Sequence, residues 1–298
     1  MSRACSVSTG KAFGVARVCR EWGIPRSTVY AHRHSAAQPP QQAARRRPNT
    51  AYTDAELLAE IRHTIRHSPF TGEGYRKVWA RLRHRGIRTS RRRVRRLMRE
   101  AGLQAPCQPR RELGPRIHDG TIVTEAPDIM WATDATATWV AGLGQATVFA
   151  VVDHGTDECL GLHAARPGTR FEALEPIRQA VRTVYGGFSK GIAQGLALRH
   201  DHGSQYVADD FQREIGFLGM ESSPAFVYAP EGNGVVERFF RTLKEQFLWI
   251  HDCRSLEALN EQLEQWRQLY NEQWLIQRHG HRSPADVRRA HQAVGAAA

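Results

Sequence analysis

Cysteine is scarce and unpatterned in this 298-residue chain: Cys5, Cys19, Cys107, Cys159 and Cys253 are odd in number, and no two form a Cys-x-x-Cys pair. That excludes a disulfide framework and a zinc knuckle as the basis of the fold. No apolar run reaches about 18 residues, so no membrane-spanning helix is expected. The first residues also lack the apolar core of a signal peptide. The chain is expected to be soluble and cytoplasmic, with no membrane partner.

Acidic residues are also few where they would matter most. The chain carries 42 Lys and Arg against 30 Asp and Glu, a net charge of +12. Residues 1–100 hold 23 basic and only 6 acidic side chains, a balance of +17, and the remainder is at −5. The excess is therefore a property of the N-terminal third, and its natural partner is nucleic acid.

Within that third, residues 11–34 read as two short helices around a Gly-Ile-Pro turn, with Val15, Val18 and Cys19 facing Val29. Ser27 or Thr28 is expected to cap the second helix, which would present Arg26, Ser27, Thr28 and Tyr30 to a DNA groove. The Pro- and Gln-rich residues 35–50 read as a linker. A second helical module spans 51–104. It opens on the capping box of Thr53 and Glu56, runs through a helix over 75–85 stopped by Gly86, and ends in SRRRVRRLMREAG capped by Ser90. In that last helix Val94, Leu97, Met98 and Ala101 form the buried stripe. Arg91, Arg92, Arg93, Arg95, Arg96 and Arg99 fill the rest with almost no acidic partners, a pattern expected to bind DNA phosphates. Residues 105–126, with three prolines, read as a second linker.

Beyond it, Met130–Val140 and Thr147–Asp153 read as paired strands, Cys159–Ala165 as a third, Phe171–Tyr185 as a helix and Leu196–His200 as a fourth strand. A helix over Tyr206–Leu218 and a fifth strand over Met220–Val227 follow. A meander of three strands followed by alternating helices and strands is the order of an RNase H-like fold. Three carboxylates stand out in this layout: Asp134 on the first strand, Asp201 at the end of the fourth, and Glu237 on the first turn of the helix after Gly232-Asn233-Gly234. Arg241 and Lys244 share a helical face with Glu237. Converging carboxylates supply hard oxygen ligands for one or two Mg2+ ions, which clamp the attacking and leaving oxygens of a phosphoryl displacement. Asp153 and Asp157 read as turn residues, and Asp209, Asp210 and Glu214 as a solvated helix face.

Asp201 and Glu237 are separated by 35 residues, and Lys244 lies seven beyond the glutamate. With the words RHDHGSQY, APEGNGVVERFFRTLKEQ and YNEQWLIQRHGHRSPADV, this arrangement resembles the D-D-35-E core of retroviral-type integrases and transposases. Those flanking words resemble the OrfB-type catalytic protein of the IS-three class of bacterial insertion sequences, over about residues 50–290. It departs from that pattern at Asn233-Gly234-Val235, where many relatives have Asp-Asn-Ala.

The resemblance implies an α/β RNase H-like catalytic domain, a mixed five-stranded sheet with helices on both faces, over 127–250, preceded by all-α helix-turn-helix modules and followed by a helical extension over 251–298. It implies a DDE-type transposase, a polynucleotidyl transferase with Asp134, Asp201 and Glu237 as catalytic and metal-binding residues and Mg2+ as cofactor, Mn2+ substituting. Lys244 and Arg241 would hold DNA phosphates. Double-stranded DNA, further copies of the chain and a small upstream-frame protein are the implied partners. His63 and His67 stand four apart, but the Cys pair of the retroviral zinc domain is missing, so no zinc is expected. A DNA-binding regulator with an inactive core, and a nuclease that cuts without joining, are the alternative readings.

Overall fold

In the computed structural model, residues 4–37, 51–106, 122, 124–225 and 233–297 are described. The chain divides into two compact units, Met1–Ala51 and Tyr52–Ala298. The linker expected over 35–50, most of the one over 105–126, and Glu231 lie outside the described residues or largely so.

The first unit holds α1 (Val15–Glu21) and α2 (Arg26–Ala37), joined through Gly23 at φ +63, a conformation that glycine adopts without strain. Cys19 is its buried residue, while Val15, Val18 and Val29 are half-buried. The second helix begins at Arg26, directly after Pro25, whose carbonyl accepts from the Thr28 N–H. Ser27 and Thr28 thus lie within the first turn rather than capping it, because proline is already set for a helix entry. Arg26, Ser27, Thr28 and Tyr30 are exposed.

In the second unit α3 (Asp54–Arg66), α4 (Tyr75–His84) and α5 (Arg91–Glu100) surround one core of Leu57, Ile61, Val78, Leu82, Val94, Leu97 and Met98. The Thr53–Glu56 capping box and the Ser90 cap form as expected, the Ser90 hydroxyl accepting from Arg93 N–H. This module docks onto the C-terminal segment: Phe70 packs edge-on against Trp274 at 4.8 Å, and Lys77 Nζ stands 2.7 Å over the Trp274 ring. Thr71 and Gln246 exchange two hydrogen bonds across the same junction.

The sheet is built from β1 (Met130–Val140), β2 (Gly144–Asp153), β3 (Cys159–Ala165), β4 (Ala197–His200) and β5 (Glu221–Pro224), in the order β3-β2-β1-β4-β5. The β1–β2 and β2–β3 pairs are antiparallel, and β4 runs parallel to β1 and β5. This is the RNase H-like sheet. One face is covered by α6 (Arg170–Tyr185) and α8 (Asp209–Leu218), packed on Trp131, Phe149, Val151 and Leu198. The other is covered by α9 (Gly234–Leu243) and α10 (Leu256–Gln273), packed on Ala132, Val140, Val148, Ala150 and Val152. Between β3 and α6 the backbones nearly touch, since a Cβ on Gly161 would overlap the Pro176 carbonyl.

Several expectations are corrected. The helix expected over Tyr206–Leu218 is two, α7 (Ser204–Val207) and α8, broken at Ala208, which is extended at ψ 139. Asp210 and Glu214 are not a solvated face: they pair with Arg170 and Arg178 of α6, tying the two helices together. In residues 251–298 the apolar side of α10 is core as its spacing suggests: Leu259, Leu263, Trp266 and Tyr270 complete the core under α9. Phe239 meets Trp266 and Tyr270 edge-on at 5.8 and 5.2 Å, contacts worth about 1 kcal/mol each beyond burial. From α11 (Pro284–Ala297), Arg288 grips Asp128 with two hydrogen bonds and pairs with Glu158, locking the C-terminus to the entry of β1.

Candidate active site

Side chains alternate across a strand, so Asp134 shares a face with Ala132 and Val140, the face that α9 covers. The parallel register pairs Met130 with Ala197, Trp131 with Leu198 and Ala132 with Arg199. Carried on by the same offset, it sets Asp201 opposite Asp134, on strands spaced about 4.8 Å apart. Asp201 follows the last residue of β4, where its Oδ1 accepts from Gly203 N–H at 2.8 Å. Glu237 enters from above in the first turn of α9.

Asp134, Glu237, Phe240, Arg241, Lys244 and Trp249 line one cleft of about 340 Å3. Residues 237, 240, 241 and 244 fall at helical spacing, so one face of α9 carries a carboxylate, two cations and an aromatic floor. The helix then passes into a π turn over Lys244–Leu248, which shifts the phase of the residues after it. Trp249, two-thirds exposed beyond that turn, lines the cleft where a sequence reading takes it only for the end of the helix. Phe240 could have been found from its i+3 spacing; Trp249 could not, because nothing in the sequence announces the π turn.

Electrostatics tie the third carboxylate to the other two. Asp134 is pushed up from 3.8 to about 6, first by burial and then by the negative charges of Asp201 and Glu237. The Ala135 N–H, donating to Asp134 Oδ1 at 2.8 Å, and the Lys244 ammonium pull the other way. Partial burial also raises Glu237. Among the described residues no three His, Cys, Asp or Glu side chains stand close enough together to cage a metal ion. Like charges nearby disfavour ionisation, and the Asp134 shift reflects burial first and then the repulsion of Asp201 and Glu237. A hard divalent cation is the group whose charge and oxygen preference suit this set.

Below the site, His200 is buried and neutral in tendency, its pKa lowered by burial, with Nε2 2.9 Å from Ser222 Oγ. It acts as a prop beneath Asp201, not a cleft residue. Asp153 is a turn residue as expected, fully buried and accepting from Thr156 and the Asp128 N–H. Asp157 is a turn residue too, its N–H donating to the Asp153 carbonyl, and it also anchors the C-terminal segment through Arg278 and His279.

The six arginines of α5 divide. Arg93 donates to Asp54 and to the Tyr52 carbonyl, and Arg96 to Asp54 and Glu100. The expectation that the set lacks acidic partners therefore fails for these two: Asp54, distant in sequence, is brought alongside by the α3–α5 packing. Arg91 and Arg95 stack over Trp79 and Tyr75 at 4.2 and 5.6 Å. Arg92 and Arg99 are exposed and show no acidic partner among the described residues.

Residues 53–111 match the model of an HTH-like domain, and residues 218–284 that of an integrase core domain. The second match contains Glu237, Arg241 and Lys244. An HTH-like match ahead of an integrase-core match supports a DDE-type transposase or integrase. The chain is homologous to insertion-sequence transposases: it is 25% identical to the transposase for insertion sequence element IS629 of Shigella sonnei, over 94% of this chain and 93% of that one. It is 26% identical to the transposase InsD for insertion element IS2 of Escherichia coli, over 79% of each chain. Among solved structures, the HTLV-2 integrase catalytic core domain in complex with magnesium aligns with 55% of this chain and 98% of that one, at 16% identity and a TM-score of 0.43. A simian T-cell lymphotropic virus intasome aligns with 79% of this chain and 74% of that one, at 16% identity and 0.45.

No helix among the described residues is long and apolar enough to cross a membrane.

Proposed function

We propose that this chain binds the ends of an insertion sequence and cuts and joins DNA there by in-line phosphoryl transfer, with Asp134, Asp201 and Glu237 as the metal-binding carboxylates. The observation that carries the reading is that Asp134 feels the charges of Asp201, Glu237 and Lys244, while Asp134, Glu237 and Lys244 line a single cleft. Mg2+, or Mn2+ in its place, would be held by the three carboxylates and would supply Lewis-acid polarisation and charge neutralisation at the reacting phosphate.

The chain's own residues set up the rest. Lys244 and Arg241 lie on the Glu237 face of α9 and hold phosphate oxygens beside the carboxylates. Phe240 and Trp249 give the cleft an apolar wall against which a sugar or base can lie. The fixed sheet register and the first turn of α9 hold the carboxylates in place, so little reorganisation is needed when substrate enters. No covalent enzyme intermediate is needed; the attacking groups are water and then a DNA 3′-hydroxyl. Arg92 and Arg99 contact duplex DNA, as does, in the first unit, the exposed start of α2. The assembly on DNA would contain more than one copy of the chain, with or without a small upstream-frame partner.

The test uses duplexes carrying the ends of the insertion element in which the gene lies. Glu237→Gln should retain binding to them and lose both cleavage and joining in Mg2+. Full joining by that variant would refute the assignment. Cleavage without joining by the wild-type chain would favour the nuclease reading, and binding with neither activity the regulator.

A further inference from the structure

A second cavity, of about 620 Å3, lies on the other side of the head of α9 and shares no lining residue with the cleft. The turn after β2 supplies His154, α9 supplies Arg238, and the segment between α10 and α11 supplies Arg278 and Arg282. Arg238 directly follows Glu237, about 100° further around the helix axis, so one turn of α9 faces both hollows.

His154 is the unusual member. It is 2% exposed, yet neither ring nitrogen has a hydrogen-bond partner among the described residues. Leaving a buried polar group unmade costs about 1–3 kcal/mol, which points to a ligand that completes it. Burial, with Arg278 next, lowers its pKa to about 4, so at neutral pH the ring is uncharged, with one nitrogen free to donate.

The charge balance selects the ligand. Arg278 is already engaged, donating to Asp157 Oδ2 and to the His154 carbonyl, and so is fixed as part of the wall. Arg282 donates through Nε to the His279 carbonyl, which leaves its terminal nitrogens for a ligand. Arg238 has no acidic partner among the described residues, and Glu125 is the one carboxylate among those lining the cavity. Two available guanidinium groups and a neutral imidazole donor suit a tetrahedral oxyanion, which offers several acceptor oxygens.

We infer that this cavity is a second phosphate-binding site, in which Arg238, Arg282 and His154 hold a backbone phosphate of the DNA whose neighbouring segment lies in the catalytic cleft. The inference rests on the reading of the chain as a DNA-cutting enzyme and extends it by a contact on the far side of α9. It makes α9 a ridge that the strand crosses, gripped by Arg241 and Lys244 on one flank and by Arg238 on the other.

The experiment measures the affinity of the full chain for an end-sequence duplex in Ca2+ over a range of salt concentrations. Each phosphate contact contributes about 0.9 to the slope of log affinity against log salt. The double variant Arg238→Gln with Arg282→Gln should lower that slope by about 0.9, the share of one phosphate, and His154→Phe, which fills the cavity with an apolar ring, should weaken binding at every salt concentration. His154→Gln, which keeps a neutral donor, should restore most of the affinity; melting curves confirm that each variant is folded.

If Lys244→Gln lowers the slope while the double variant leaves it unchanged, the second site is overturned and the DNA-cutting reading stands. If the wild-type chain binds no duplex, both fall. A further arm follows the His154 imidazole by NMR during titration with inorganic phosphate and then with duplex. Displacement of phosphate by duplex supports the site; a phosphate response that duplex does not compete away would mark a free-phosphate site and overturn it.

Discussion

The charge on Asp134 costs the folded chain stability, and the size of that cost can be worked out. Burial and the neighbouring carboxylates raise its pKa from 3.8 to about 6. A pKa difference of one is worth about 1.4 kcal/mol, so the rise amounts to about 3 kcal/mol as an upper bound. The sign follows from proton binding. A raised carboxylate binds its proton more tightly in the folded state, so the cost is absent below pH 3.8, grows as the pH climbs, and is complete above about 6. Asp134→Asn removes the charge and keeps an acceptor for the Ala135 N–H. The variant should therefore be more stable than wild type by up to about 3 kcal/mol at about pH 8 in EDTA, a gain on the order of 5–10 °C in melting temperature, and equal to it near pH 4. Millimolar Mg2+ should stabilise the wild type and leave the variant unmoved. Denaturant titrations at the two pH values, with and without Mg2+, read all of this. A variant no more stable than wild type at high pH would refute the claim that the cleft holds repelling, half-buried carboxylates.

Other substitutions separate structural from DNA-facing roles. Arg93→Ala should destabilise the helical module by about 1–3 kcal/mol in urea titrations, because it strands Asp54 and the Tyr52 carbonyl. Arg92→Ala and Arg99→Ala should leave stability within about 0.5 kcal/mol and weaken duplex binding instead. Gly161→Ala should sharply reduce soluble yield and melting temperature, since its Cβ would overlap the Pro176 carbonyl. Arg288→Met should cost about 3–5 kcal/mol by leaving Asp128 and Glu158 without their cation.

Much of this was legible in the amino-acid sequence, for physical reasons that differ by element. β1 is rich in threonine and tryptophan and β3 is an almost wholly apolar run, so Met130–Val140 and Cys159–Ala165 are expected with the bounds they have. The Thr53–Glu56 capping box and the Ser90 cap are local chemistry and need no tertiary context. The placement of Glu237, Arg241 and Lys244 on one face follows from helical periodicity alone. What was not legible depends on contacts between distant segments. The pairing of Arg93 and Arg96 with Asp54 requires α5 to pack on α3, and the packing of α10 beneath α9 requires the whole sheet. The break at Ala208 and the π turn at Lys244–Leu248 are backbone choices that no residue in those stretches signals. His154 reads in the sequence as one residue of a turn; only the fold encloses it with three arginines.

The account turns on three carboxylates taking a divalent cation in one cleft. Anomalous diffraction from crystals soaked in Mn2+ tests this most directly: it should place metal between Asp134 and at least one of Asp201 and Glu237, and the same soak of Asp134→Asn should leave that position empty. Metal bound elsewhere in crystals of protein that still joins DNA, with none among these three side chains, would contradict it.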